Sequence, residues 1–142
     1  MKSIKFKFLT LLFVVAIITG ACSLDDSDSG SCNAQYEMLI DAVAGPDAIT
    51  VKVNESVTLQ VTFKIANGCG VFNRFAETLS YPKQIDALVD YTGCSCDTDG
   101  SSVIKPYVFV SSNSGTYVLQ FISSVVAGQA NYITKTITVT AE

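Results

Sequence analysis

From Ser56 to Ile65 the chain alternates without a break, with Val57, Leu59, Val61, Phe63 and Ile65 on one side and Thr58, Gln60, Thr62 and Lys64 on the other. A strand sends successive side chains to opposite faces, so this segment predicts a half-buried β-strand with one wet face. Similar period-two runs, rich in Val, Ile, Thr, Tyr and Phe, lie around Tyr36 to Val43, Ile49 to Val53, Ile85 to Tyr91, Tyr107 to Val110, Tyr117 to Ile122 and Ile133 to Val139. Turn chemistry separates them at Gly45-Pro46-Asp47, Asn67-Gly68, Tyr81-Pro82, Asp99-Gly100, Asn113-Ser114-Gly115 and Ala127-Gly128. Helix is an option only at Phe75 to Leu79 or Lys83 to Leu88, where the alternation is poorer. Seven or eight short strands in about 110 residues predict an all-β sandwich.

The strands begin only after a distinct leader. Residues 1 to 21 carry Lys2, Lys5 and Lys7, then an apolar run from Phe8 to Ile18, then Thr19-Gly20-Ala21 before Cys22. This is the layout of an export signal, and its apolar run is well short of the roughly 20 residues a membrane-spanning helix needs. The segment resembles a bacterial lipoprotein signal, which implies cleavage before Cys22 and lipidation of that residue. Residues 22 to 34 are acidic and lack bulk after Leu24, so they predict a tether rather than core. Ser23 after the lipidated position resembles outer-membrane sorting, and Asp25, Asp26 and Asp28 resemble the surface-export signal of some Gram-negative lipoproteins. The expected location is therefore the outer membrane, at the cell surface or on its periplasmic face.

Two local patterns within residues 35 to 142 resemble immunoglobulin-like Greek-key sandwiches. Asn54-Glu55-Ser56-Val57-Thr58-Leu59 is similar to the entry into the second strand of such domains. Asn113-Ser114-Gly115-Thr116-Tyr117 is similar to the corner before the penultimate strand, where a Tyr hydroxyl bonds back to the backbone. Leu119 stands where antibody-type domains place a Cys, and the chain has no Trp, so their inter-sheet disulfide and its Trp partner are both missing.

With Cys22 assigned to lipid, Cys32, Cys69, Cys94 and Cys96 remain, an even number in an exported chain, which predicts two disulfides. A Cys94–Cys96 bridge would close a very small ring, so Cys32 and Cys69 should each pair with Cys94 or Cys96. Antiparallel strand directions put all four at one pole. Thiolate binding of copper or zinc, or disulfide shuttling, is the competing chemistry for Cys94-Ser95-Cys96 with Cys69.

The chain has no His, which removes Ser-His-Asp and Cys-His catalysis and His-ligated zinc. A pI near 4.6 argues against nucleic acid as a partner. Asp97-Thr98-Asp99-Gly100 opens like a calcium loop but lacks the later ligands and reads as a turn. Glu37, Asp41, Glu77, Asp86 and Asp90 could supply paired acids for glycan chemistry, with nothing in their spacing to couple any two. The expected role is thus a non-catalytic lipoprotein held to the membrane through Cys22, with no cofactor and no metal ligand assigned. Its sandwich would bind a protein, peptide or glycan, or act as an accessory subunit. A metal or redox protein and a carboxylate-dependent glycan-active enzyme are the alternatives. Loops Asn67 to Gly70, Gly93 to Ser102 and Ser123 to Asn131 share the cysteine pole, which makes the flanking Phe72, Arg74, Tyr91 and Tyr132 candidate contacts.

Overall fold

In the computed structural model, which describes residues 32–141, the period-two segments become strands, one of them broken in two. In chain order these are β1 (Asn33–Met38), β2 (Ile40–Val43), β3 (Ala48–Lys52), β4 (Val57–Ile65), β5 (Gly70–Glu77), β6 (Lys83–Thr92), β7 (Ser101–Phe109), β8 (Gly115–Val126) and β9 (Gln129–Thr140). The export segment, Cys22 and the acidic cluster Asp25, Asp26 and Asp28 lie outside the described residues. One sheet runs β1-β6-β8-β9-β3 with β5 on the other edge of β6, and a second sheet runs β2-β4-β7. The two form a sandwich-like, all-β arrangement.

Burial follows the alternation where it is strict. In β4, Leu59, Val61 and Phe63 are buried while Thr58, Gln60 and Lys64 are exposed. With Ile40, Ile85, Val89, Leu119, Phe121 and Ile137 they form the core between the sheets. Fully burying one such side chain contributes about 1.5–3 kcal/mol, so these rows dominate the fold's stability.

Three expectations need correction. Nine strands are present among the described residues instead of seven or eight, because Tyr36 to Val43 is two strands in different sheets and Gly70 to Glu77, which lacks the alternation, is a further one. Leu39 is the crossing point: β1 pairs with β6 and β2 pairs with β4. Nor is there helix among the described residues. Phe75 to Glu77 belong to β5, where a bulge between Phe72 and Arg74 puts Phe72 and Phe75, three apart, against the core. An extra residue shifts the phase of a strand, so β5 loses the period-two signature. In β6, Ala87, Leu88 and Val89 are consecutively buried because Leu88, on the outer face, sits between Glu37 of β1 and Arg74 of β5. Finally, β1 starts at Asn33, so the last two residues of the expected tether belong to it.

The Asn113 to Tyr117 corner is formed as its sequence implies. The Tyr117 hydroxyl donates to the Asn113 carbonyl at 2.8 Å and lies 2.7 Å from Ser111 Oγ, which accepts from Asn113 N–H. These bonds satisfy the turn between β7 and β8, where the chain passes from one sheet to the other.

Candidate functional site

All four described cysteines meet at one pole. Cys32 precedes β1, Cys69 precedes β5, and Cys94 and Cys96 follow β6; because β1 and β5 both run antiparallel to β6, their starts meet its end. Disulfides join Cys32 to Cys94 and Cys69 to Cys96, with Cα separations of 5.0 and 5.4 Å. One of the two pairings left open by sequence is thereby selected. Backbone bonds knit the same loops together: Gly93 N–H donates to Cys32 C=O, Thr92 N–H to Cys69 C=O and Gly68 N–H to Asp97 C=O. The approach is close enough that a Cβ on Gly70 would lie 2.3 Å from the Ile65 side chain and one on Gly100 2.5 Å from the Ile65 carbonyl. Neither position accommodates a side chain.

The candidate contact residues do not form one patch. Tyr91 is buried, and its hydroxyl accepts from Ala66 N–H at 3.0 Å, so it holds the β4–β5 turn from inside. Phe72 is half-buried against Phe63 and Phe75, with Lys105 Nζ 5.7 Å from its ring centre. Arg74 is exposed on β5. Tyr132 is half-buried on β9, paired with Ile122 of β8. Of the four, Arg74 presents its side chain most openly.

Beside Arg74, the outer face of the larger sheet carries the acids that sequence could not couple. Asp90 accepts from the side-chain amides of Gln35 on β1 and Asn73 on β5. One register step along, Glu37 and Arg74 flank Leu88, and beyond them Asp86 pairs with Ala76. A depression of about 220 Å³ is lined by Glu37, Ala76, Glu77, Thr78, Gln84 and Asp86. Partial burial, with the Glu37 charge adding to it, raises the Asp86 carboxyl from 3.8 to about 6. Glu77 instead accepts from Lys83 Nζ at 2.6 Å, a bond that raises the ammonium's pKa. Burial, with Glu77 nearby, pushes the Tyr107 hydroxyl upward as well.

A raised acid binds its proton more tightly in the fold than in the unfolded chain, so its contribution favours folding at low pH and is lost as pH climbs from 3.8 to about 6. Asp86→Asn should therefore gain stability relative to the parent across that window, by on the order of 1 kcal/mol once solvent screening of a half-buried group is allowed for. Urea midpoints of both proteins at the two ends of the window check this. A constant offset between them would contradict it.

One polar group that the sequence reading passed over is Lys135. It occupies the inward phase of β9 in line with Ile133, Ile137 and Val139, and it is buried. A Lys in an apolar row was the available signal. Its Nζ donates to Gly45 C=O at 2.6 Å and to Asp47 Oδ1 at 2.8 Å, pinning the loop between β2 and β3 where the chain changes sheets.

Among the described residues, no group of three or more His, Cys, Asp or Glu side chains is placed to hold a metal ion. Comparison of the chain with protein-family models, with curated proteins and with solved structures gives no match.

Proposed function

We propose that this chain is a non-catalytic lipoprotein, anchored through Cys22 in a bacterial outer membrane, whose extracytoplasmic sandwich serves as a binding or accessory module. The observation that carries the reading is the pair of disulfides at the pole where the chain enters the domain. Disulfides persist in oxidising compartments, which agrees with the export signal ahead of them. Engagement of Cys32, Cys69, Cys94 and Cys96 in bridges also leaves the thiolate-metal alternative without free sulfur among the described residues.

The sandwich is of immunoglobulin-like type on this reading. Supporting it are the Tyr117 corner, the antiparallel pairing of β2 with β4, and the parallel pairing of β3 with the last strand, β9. The departure is β6, which lies between β5 and β8 and runs parallel to β8 over Lys83 to Ile85.

A binding module of this kind works through loops and faces, not by adding a strand at β7. Gln60 C=O accepts from Ala44 N–H, so its backbone faces β2, and the opposed Pro106 must turn its backbone to the open edge. Proline leaves no donor there, and the inward-tilted Lys105 beside it further blunts the edge.

Mass spectrometry of the native mature protein tests the proposal: an acylated Cys22 at the amino terminus and no titratable thiol before reduction are expected. An unacylated first residue, or four reactive thiols, overturns it. The specific observation favouring a second reading, a carboxylate-dependent glycan-active enzyme, is the Asp86 and Glu37 pair beside a depression. Glycan hydrolysis abolished by both Asp86→Asn and Glu37→Gln would establish that reading in place of the first.

A further inference from the structure

The β8–β9 hairpin ends at Ala127 and Gly128, with φ of 51° and 80°. Two successive positive φ values make a two-residue turn of the type that favours Asn-Gly, Asp-Gly or Gly-Gly. Alanine in the left-handed region is strained, so a polar turn residue that would relieve the strain is here replaced by an apolar one. Next to it Val125 and Val126 are 58% and 63% exposed, and a Cβ on Gly128 would meet nothing within 4 Å. The hairpin that carries the tip is itself uncharged up to Lys135. No charged residue lies between Lys105 and Lys135, in a chain whose removal of residues 1–21 would leave 6 basic against 13 acidic residues.

β8 runs parallel to β6 over Lys83 to Ile85, so its tip points in the direction in which β6 runs to the cysteine pole. Cys32, fastened to Cys94, is where the preceding chain joins that pole. Ten residues lead from Cys22 to Cys32, which even when fully extended reach no further than about 35 Å. We propose that the Val125 to Gly128 tip rests in the interfacial layer of the bilayer that holds the anchor. The inference rests on the lipoprotein reading above. Anionic headgroups repel an acidic domain, and an uncharged apolar tip is the part that approaches them without that repulsion. Its own affinity is weak, but a short tether holds it at millimolar effective concentration, where weak contacts are occupied.

The absence of Trp makes the test clean. Val126→Trp and, as a control, Leu79→Trp each place a single fluorophore at an exposed site, Leu79 being fully exposed in the turn between β5 and β6 at the opposite pole. The mature acylated proteins are reconstituted on phosphatidylethanolamine–phosphatidylglycerol vesicles with and without brominated acyl chains. Bromolipid should quench the Val126→Trp emission about twofold, as for a side chain sunk to the acyl boundary, and leave Leu79→Trp unchanged. Unquenched Val126→Trp on protein that still floats with the vesicles overturns the proposal and leaves the anchor standing. Native mature protein that carries no acyl chain on Cys22 and does not float removes both. Adding Ala127→Asn to the Val126→Trp protein should raise its melting temperature by relieving the turn and at the same time weaken the quenching. A tip with only a structural role would show the first effect without the second.

Discussion

Replacing Cys32 and Cys94 together by alanine is expected to lower the unfolding free energy by about 4 kcal/mol, and replacing Cys69 and Cys96 by about 3.5 kcal/mol. The ordering follows from the sequence separations of 62 and 27 residues that the bridges close. A longer closed loop removes more conformations from the unfolded chain, but only logarithmically, so the two values differ little. Either loss is a large part of the roughly 5–15 kcal/mol that holds a typical domain together. Removing both pairs should leave a chain that does not fold cooperatively at 37 °C. Urea titrations of the oxidised parent and the two double variants, at a pH where no acid is titrating, measure the effect. A larger loss from the shorter bridge would show that native-state contacts at the pole, not unfolded-chain entropy, dominate. The Cys32 bridge also holds the start of β1 to β6, so its variant should lose amide protection first along Asn33 to Met38.

Lys135→Ala is expected to cost about 3 kcal/mol, whereas Asp47→Ala should cost less than about 1 kcal/mol. The two ends of this ion pair sit in different media: the Lys135 side chain is 3% exposed and the Asp47 side chain 90% exposed. Truncating the lysine empties the volume of its buried methylenes and strips the Gly45 carbonyl of its donor. Truncating the aspartate removes a solvated partner and leaves the Gly45 bond in place. Lys135→Met keeps the buried stem and should fall between the two. Equal losses from Lys135→Ala and Asp47→Ala in denaturant titrations would mean that the charge attraction carries the interaction. In that case the β2–β3 loop would be held mainly by Asp47.

The site was legible in uneven parts. That the cysteines gather at one pole could be read from strand count and direction, because each hairpin reverses the chain and the reversal is marked by Gly, Pro and Asn. That Asp86 and Glu37 influence one another could not be read, since they are brought together by the register of β1 on β6 across a long stretch of chain. Tyr91 looked like a loop-flanking contact and is a core residue, because β6 carries its inward phase through to the end of the strand. Arg74 kept its exposure for the opposite reason: the bulge at Asn73 returns it to the outer face.

Taken alone, the order of amino acids determined that this chain is built of strands, which side of most of them is wet, where it turns, and that its thiols come in pairs. Those properties are local: a two-residue period and a Gly or Pro at a reversal act through neighbours in the chain. Tertiary structure alone decided which cysteine joins which, that one apolar run serves two sheets, and that a lysine in an apolar row belongs there. Each depends on partners distant in sequence, and a side chain's partner across the sandwich is chosen by the packing of every strand at once.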